Sequence, residues 1–261
     1  MNLLFVGDIV GKSGCDFFAK KLYTIKKDYN IDITVVNGEN SAQGNGITRQ
    51  SAEFLFQAGV DVITTGNHAF KRREAVEMFN ENDFLVRPAN YPAGCVGKGL
   101  CILDLGRCQI AIINLMGVVY LEPLDNPFTV VDKLLEEIET PNIFVDFHAE
   151  ATAEKKAMGF HLSKRVTAMF GTHTHVQTAD ECVLDGHTGY ITDVGMSGAE
   201  ESVLGVKKEI ALEKMRSHFP VKFEESDKPC FINAVVVSFD EKFGKCDKIS
   251  RVILRQNDEN C

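Results

Sequence analysis

The sequence predicts an α/β protein, a four-layer α/β/β/α sandwich of two mixed β-sheets between outer helices. Three observations predict it: short β-branched runs alternate with helical stretches early in the chain, two later runs join at a tight turn, and the tail alternates apolar and polar residues. Alternating strands and helices indicate a parallel sheet with right-handed crossovers. The antiparallel signals that follow favour two mixed sheets over a single dinucleotide-binding sheet.

The first three predicted strands all end in polar residues. They lie at 2–8, 33–40 and 60–68, and end in Gly-Asp, Gly-Glu-Asn and Gly-Asn-His. Helices are predicted between them at 14–30 and 48–59, where apolar residues recur at helical spacing and the ends have N-cap residues or glycine. Strands that are covered on both faces should be almost continuously apolar, and these runs are.

The middle and the tail of the chain contain further predicted strands and helices. Residues 101–117 predict two strands joined at Gly106-Arg107. The later elements are, in order, helix 126–139, strand 142–150, helix 152–165, strand 166–176, a strand and glycine loop at 188–198, and antiparallel strands at 231–240 and 248–256. We expect the last two strands to lie in a second sheet. Since no linker divides the chain, a single domain over residues 1–261 is expected.

Composition and charge exclude several classes of protein. The net charge of −9 argues against stable nucleic-acid binding, which needs clustered Lys and Arg. No apolar run approaches the roughly 20 residues of a membrane span, and the first residues lack signal-peptide features, so a cytoplasmic protein without membrane contact is expected. The 8 cysteines include no C-x-x-C pair, so we expect reduced thiols rather than a zinc ribbon or a disulfide framework.

Polar side chains collect at the carboxyl ends of the predicted strands. They are Asp8, Glu39, Asn40, Asn67, His68, His148, His173 and His175. These strand ends line the ligand crevice of an open α/β sheet, so the side chains can meet in one place. Taken singly, each has a structural alternative, such as a helix N-cap for Asp8 or a turn residue for Asn67. A lone histidine is commonly a surface group, and His161, His187 and His218 are assigned to that class.

Taken together, this set suits two metal ions better than one. Imidazole binds Zn, Fe, Mn and Ni, carboxylates favour harder cations, and no thiolate accompanies them, which disfavours a structural zinc site. One metal needs three or four protein ligands, whereas this group offers about seven, with one carboxylate to share. Two metals about 3.5–4 Å apart clamp the oxygens of an in-line phosphoryl displacement. The sequence therefore predicts a dinuclear hydrolase site.

Six segments resemble a known family in the same order. They are FVGDIVGKSG, VVNGENSAQGNGIT, VITTGNHAF, RPANYP, GTHTHVQTAD and TDVGMSG, and they are similar to segments of the YmdB-like branch of the calcineurin-like metallophosphoesterases. The resemblance spans essentially the whole chain. It implies the metallophosphoesterase α/β/β/α sandwich, a dinuclear centre and, for this branch, 2′,3′-cyclic-nucleotide 2′-phosphodiesterase activity.

The resemblance also implies which residues hold each metal. The first metal takes Asp8, Glu39, Asn40 and His175, and the second takes Glu39, Asn67, His148 and His173, so that Glu39 bridges. The wider superfamily has Asp-x-His in its first block and a bridging Asp, whereas this chain has Asp8-Ile9-Val10 and Glu39; Asn40 stands where it can replace the missing imidazole. If the segment is extended, His173 and His175 face one side about 6.6 Å apart and can serve neighbouring metals.

The implied reaction is the hydrolysis of a cyclic-nucleotide phosphodiester. A metal-bridging hydroxide attacks phosphorus in line with the leaving oxygen, and His68 as general acid donates the proton that the leaving alkoxide needs. With a 2′,3′-cyclic nucleotide the 2′ oxygen leaves and a 3′-nucleotide is formed. The cofactors are two divalent or trivalent metal ions, iron or manganese by resemblance, although zinc also suits these ligands.

Several alternatives stay open. The same centre could belong to a phosphomonoester or protein phosphatase, or to a regulatory protein whose slow phosphodiesterase activity serves signalling. A nuclease is disfavoured by the charge, and a Rossmann-type cofactor protein by the mismatch between GDIVGKSG and G-x-G-x-x-G. Substrate-binding residues are not identified: 40–48 either contacts phosphate or ribose or is a plain loop, and 87–92 is favoured as a structural turn. A homo-oligomer is compatible with the resemblance.

Overall fold

The computed structural model describes residues 1–257, which contain both helices and strands; Cys261, expected as a free thiol, lies outside it. The helices are α1 (Gly11–Asp28), α2 (Arg49–Ala58), α3 (Ala75–Glu81), α4 (Pro127–Glu137), α5 (Thr152–Leu162) and α6 (Lys208–Ser217). The strands are β1 (Asn2–Val6), β2 (Asp8–Ile9), β3 (Ile33–Asn37), β4 (Val62–Thr64), β5 (Leu85–Val86), β6 (Leu100–Asp104), β7 (Gln109–Met116), β8 (Ile143–His148), β9 (Ala168–Thr172), β10 (Cys182–Leu184), β11 (Thr188–Ile191), β12 (Met196–Ala199), β13 (Cys230–Asp240) and β14 (Lys245–Arg255).

Two mixed sheets are present, as predicted. Within the described residues, the first has the order β2-β12-β13-β1-β3-β4-β5, and β14 pairs with β13. Strands β1, β3, β4 and β5 run parallel, whereas β13 runs antiparallel to β1. The second has the order β10-β11-β9-β8-β7-β6, with antiparallel strands at both edges and a parallel centre.

The two tail strands belong to the first sheet, so their predicted place in a second sheet is wrong. β13 lies beside β1 with Val235 opposite Phe5, and β14 pairs with β13. The alternating pattern identified both strands correctly. Alternation tells which side chains share a face, but it does not tell which strand is the neighbour.

Alternation along β1 separates the layers of the core. Leu3 and Phe5 pack between the two sheets, whereas Leu4 and Val6 pack against the cluster that contains the apolar faces of α1, α2 and α3. The ring of Phe5 stacks on that of Phe170 in the second sheet, with centroids 4.4 Å apart. A third cluster lies between the second sheet and α4 and α5. These layers confirm the α/β/β/α order.

The local signals at the two ends of α2 agree with the structure. Thr48 accepts a hydrogen bond from the backbone N–H of Ser51 at the start of α2, and Gly59, with φ 107°, ends that helix. The seven cysteines among residues 1–257 are free thiols. No helix in the described part of the chain is both long and apolar enough to cross a bilayer.

Candidate metal centre

The eight side chains predicted at strand ends come together where the two sheets meet. Asp8 begins β2, directly after β1; Glu39 and Asn40 follow β3, and Asn67 and His68 follow β4. His148 ends β8 and the two remaining histidines follow β9, so they come from the second sheet. Each sheet therefore supplies part of the cluster.

Glu39 lies at the centre of the cluster and is fully buried. Its Oε1 is 3.2 Å from Nε2 of His148, 3.2 Å from Nδ1 of His68 and 3.3 Å from Nδ2 of Asn40. Its Oε2 accepts a hydrogen bond of 2.9 Å from the backbone N–H of His68. One carboxylate thus contacts groups on both sides of the cluster.

On one side, the contacts of Glu39 lead to His148. The Nε2 atom of His148 is 2.9 Å from Oδ1 of Asn67 and 3.1 Å from Nδ1 of His173. Ligand atoms of Glu39, His148 and His173 lie within 4.8 Å of one another, the spacing of a metal site. Gly66 makes room for this arrangement, since a Cβ there would lie 2.2 Å from the ring of His148.

On the other side, Asp8, Asn40 and His175 are neighbours. The Oδ1 atom of Asp8 is 3.6 Å from Nε2 of His175 and 3.5 Å from Nδ2 of Asn40. Asn40 turns its amide nitrogen toward this group, 3.3 Å from Nε2 of His175, and its oxygen toward Nδ1 of His68 at 2.9 Å. To act as a metal ligand, Asn40 has to turn its amide over and present the oxygen.

The segment that contains His173 and His175 is bent, which corrects the expectation of an extended chain. β9 ends at Thr172, and the φ angles of His173 and His175 are +94° and +64°. Left-handed backbone at residues other than glycine is unfavourable and clusters at functional sites. The bend sends the rings to different sides of the cluster, one to His148 and one to Asp8.

Asp193 and Asp8 hold this bend in place. Asp8 Oδ2 accepts a hydrogen bond from the backbone N–H of His173 at 3.1 Å. Asp193 Oδ2 accepts from both the backbone N–H and the hydroxyl of Thr174, at 3.1 and 2.7 Å, which turns Thr174 away from the cluster. Asp193 also pairs with the ammonium of Lys155 at 2.6 Å, and both side chains are 1% exposed.

Asp146 supports the cluster from behind, and the sequence analysis missed it. Nδ1 of His148 is 2.9 Å from the hydroxyl of Thr172, which donates to Asp146 at 2.7 Å. Asp146 also accepts from the hydroxyl of Thr64 and the amide of Asn37, and its burial raises its pKa to about 6. An acidic residue in the apolar run IFVDFH, two positions before a candidate ligand, is the signal that could have revealed it.

The chain matches known proteins over nearly its whole length. The model of the family described as YmdB-like protein matches residues 4–252. The chain belongs to the YmdB-like family. This confirms the resemblance that the six segments carried.

Three relatives of this YmdB-like chain cover it almost completely. A Bacillus subtilis protein named 2′,3′-cyclic-nucleotide 2′-phosphodiesterase is 41% identical over 98% of each chain. A solved structure of a hypothetical protein from Thermus thermophilus has a TM-score of 0.92, 37% identity and coverage of 98% of this chain and 99% of its own. A solved structure described as a novel phosphatase, from Mycoplasma pneumoniae, has a TM-score of 0.92, 33% identity and coverage of 98% and 93%.

Oppositely charged side chains in the cluster of candidate ligands stabilise one another. Burial opposes ionisation of Glu39, yet His148 and His68 hold its pKa well below its usual range. Burial also opposes protonation of His148, yet Glu39 and Asp8 raise its pKa to about 9. For Asp8 and His175, burial again acts against charge, while their mutual contact lowers the pKa of Asp8 and raises that of His175. Burial and the nearby His148 lower the pKa of His173.

The donor set fits bound cations. Nε2 of His148 faces three groups that can act as acceptors, on Glu39, Asn67 and His173, but one ring nitrogen carries at most one proton. The ion pairs of the buried Asp8 and Glu39 within residues 1–257 are formed with histidines rather than Lys or Arg. Buried carboxylates need compensation, and metal ions that displace the histidine protons would supply it.

The two segments considered for substrate contact, 87–92 and 40–48, differ in their surroundings. Asn90, in 87–92, is buried and bonds to the backbone of Met116 and Asp125, so the structural-turn interpretation is confirmed. Asn40 and Asn45 of the segment 40–48 line a cavity of about 310 Å³ above the cluster, together with His68, His173 and His175. Two residues of this segment therefore face the same cavity as the candidate ligands.

Proposed function

We propose that the chain is a metal-dependent phosphodiesterase that hydrolyses 2′,3′-cyclic nucleotides to 3′-nucleotides. The observation that carries the proposal is the central position of Glu39, whose Oε1 contacts His148 and Asn40 on opposite sides of the cluster. Membership of the YmdB-like family and the named activity of the Bacillus subtilis relative support a phosphoric ester hydrolase.

The two groups around Glu39 are proposed to hold two metal ions. One ion takes Asp8, Glu39, Asn40 and His175, and the other takes Glu39, Asn67, His148 and His173, in keeping with the contacts of each group. Bound there, the ions acidify water and neutralise charge on the non-bridging oxygens of the phosphate. Nitrogen and oxygen ligands suit iron and manganese, which we propose, and also zinc.

His68 is proposed as the general acid. Its Nδ1 lies 2.9 Å from Oδ1 of Asn40 and 3.2 Å from Oε1 of Glu39, and its side chain is 23% exposed at the cavity. When Asn40 turns its oxygen to a metal, its amide NH2 donates to Nδ1 instead, so the ring stays held. With Nδ1 held, Nε2 is the nitrogen that can give a proton to the leaving 2′ oxygen.

A substrate panel tests the proposal. Metal-loaded protein, with its metals measured by elemental analysis, is given 2′,3′-cyclic AMP, 3′,5′-cyclic AMP, p-nitrophenyl phosphate and short RNA. We expect the highest kcat/KM with 2′,3′-cyclic AMP, 3′-AMP as the product, and about two metal ions per chain. Preference for p-nitrophenyl phosphate would instead make the chain a phosphomonoesterase, and release of 2′-AMP would show that the other oxygen leaves.

A further inference from the structure

One continuous segment, residues 200–229, covers the metal centre from one side. It connects β12 to β13, and its ends are fixed because Ala199 pairs with Cys230 in the antiparallel ladder. The segment contains α6 and leads back past Phe223. It contributes one wall of the 310 Å³ cavity, whose floor is formed by the candidate ligands and His68.

The cavity wall and the cavity floor differ in chemistry. The floor is polar, with Glu39, Asn40 and three histidines, whereas the segment contributes mainly aliphatic and aromatic side chains, among them Leu204, Met215 and Phe223. These three side chains are 51%, 72% and 54% exposed, so a ligand in the cavity has apolar surface to cover. Large apolar groups beside a polar floor suit a ligand that is charged at one end and flat and apolar at the other.

We propose that Phe223, flanked by Leu204 and Met215, receives the nucleobase of the cyclic-nucleotide substrate. The inference rests on the proposed function and adds the residues that recognise the nucleoside. With the phosphate on the floor, the ribose spans the cavity and the base faces the wall. Every base has an aromatic face, and stacking on an aromatic side chain contributes about 1–3 kcal/mol per base.

The wall also sets the expected selectivity. The three proposed side chains offer apolar surface and no strong hydrogen-bonding group that could distinguish one base edge from another. Lys214 and Asn45 also line the cavity and can donate to a base edge, but the stacking surface itself favours purine over pyrimidine cyclic nucleotides by a modest factor. An aliphatic group in place of the base should lose this contribution.

Two substrates with the same five-membered cyclic phosphate separate base recognition from hydrolysis. They are 2′,3′-cyclic AMP and glycerol 1,2-cyclic phosphate, which has no base. For Phe223→Ala we expect kcat/KM on 2′,3′-cyclic AMP to fall roughly 5- to 150-fold, mainly through KM, as the loss of one stacked base implies. On glycerol 1,2-cyclic phosphate the variant should equal the wild type. Phe223→Tyr should keep the preference for the nucleotide.

Phe219→Ala is the matched control, because Phe219 lies in the same segment, is 70% exposed and is not among the residues that line the cavity. It should leave both substrates unaffected. Calorimetry of metal-loaded protein gives a second readout: Phe223→Ala should weaken binding of 3′-AMP but not of glycerol 2-phosphate.

The possible outcomes distinguish the two proposals. If the wild type hydrolyses both cyclic esters but Phe223→Ala changes neither, or lowers both equally, the base does not bind at Phe223 and the phosphodiesterase proposal stands. Equal kcat/KM of the wild type on the two esters likewise overturns the inference alone. If metal-loaded wild type hydrolyses neither ester, the proposed function fails and the inference fails with it.

Discussion

At the scale of single residues, each of two histidines uses one ring nitrogen for a supporting contact and leaves the other for the site. His148 gives Nδ1 to Thr172 and leaves Nε2 for the cluster, and His68 gives Nδ1 to Asn40 and leaves Nε2 for the cavity. The partner of one nitrogen fixes the tautomer and orientation of the ring, and so decides what the other can do. A variant that lacks the group in contact with Nδ1 should therefore lose part of the activity or metal affinity that the histidine provides.

The first prediction concerns His68. His68→Ala should lower kcat on 2′,3′-cyclic AMP by roughly 10²- to 10⁴-fold, the usual contribution of a general acid, with metal content unchanged. The loss should shrink with a p-nitrophenyl diester, whose leaving group needs no proton. His161→Ala is the control, because His161 pairs with Asp132 on the surface. Full activity of His68→Ala on the cyclic nucleotide would exclude the acid role.

The second prediction concerns Asp146, which acts through Thr172 and His148. Asp146→Asn keeps the shape of the side chain but replaces one acceptor oxygen, so it should weaken the support of His148 and lower metal affinity by roughly 10- to 100-fold. Isothermal titration calorimetry with the metal measures this affinity. Asp132→Asn, on the surface, should bind metal normally. Unchanged affinity in Asp146→Asn would mean that the contact with Thr172 does not position His148.

Sequence patterns reveal the inner residues of the site more readily than the outer ones. Glu39 and His148 stand out because charged groups at the ends of apolar runs have few structural roles to fill. Asp146 lies inside such a run, and its role depends on Thr64 and Thr172, which are far away in sequence. The orientation of the Asn40 amide is likewise set by contacts that only the folded chain brings together.

At the scale of elements, the bend after β9 decides where two candidate ligands go. An extended strand would have set His173 and His175 side by side, whereas two left-handed residues send them apart. The two histidines are visible in the sequence, but the bend depends on the contacts of Thr174 with Asp193, which lies about twenty residues further along the chain. For the same reason, the sequence identified the two tail strands, but it did not reveal that β13 pairs with β1.

The third prediction concerns this bend and its buried ion pair. Asp193→Asn leaves the ammonium of Lys155 without its countercharge, so the free energy of unfolding should fall by about 3–5 kcal/mol. The double variant with Lys155→Met should recover part of the loss, because no buried charge then remains. Urea denaturation of both variants measures this.

The neighbouring pair of Lys156 with Asp180 provides the control for the buried pair. These side chains are 46% and 30% exposed, so Lys156→Met should cost less than about 1 kcal/mol. If Asp193→Asn proves no less stable than Lys156→Met, the buried pair does not stabilise the bend.

At the scale of the whole molecule, the proposed ligands join two sheets that also meet through apolar packing and through the buried contacts of Asp146 with Thr64 and Asn37. Asp8, Glu39 and Asn67 come from the first sheet, and His148 and His173 from the second. Metal bound between them would act as a cross-link across the interface that Phe5 and Phe170 fill. Ligands that bind only the folded state stabilise it.

The fourth prediction follows from this cross-link. At free metal about 1,000-fold above Kd the stabilisation is about 4 kcal/mol, which raises Tm by on the order of 10 °C in a chain of this size. Calorimetric scans of chelator-treated and reloaded protein measure the shift. Glu39→Ala should show little of it. Equal Tm with and without metal would mean that the cluster does not bind metal tightly in the folded state.

The segment between β12 and β13 has a consequence for how substrate choice can change. Its two ends are held next to each other by the pairing of Ala199 with Cys230, and the polar floor of the cavity comes from other parts of the chain. An insertion or a replacement within 200–229 therefore alters the wall while the hydrolytic groups keep their places. If the nucleobase binds at Phe223 as proposed, grafting this segment between relatives should transfer base preference without redesign of the metal centre.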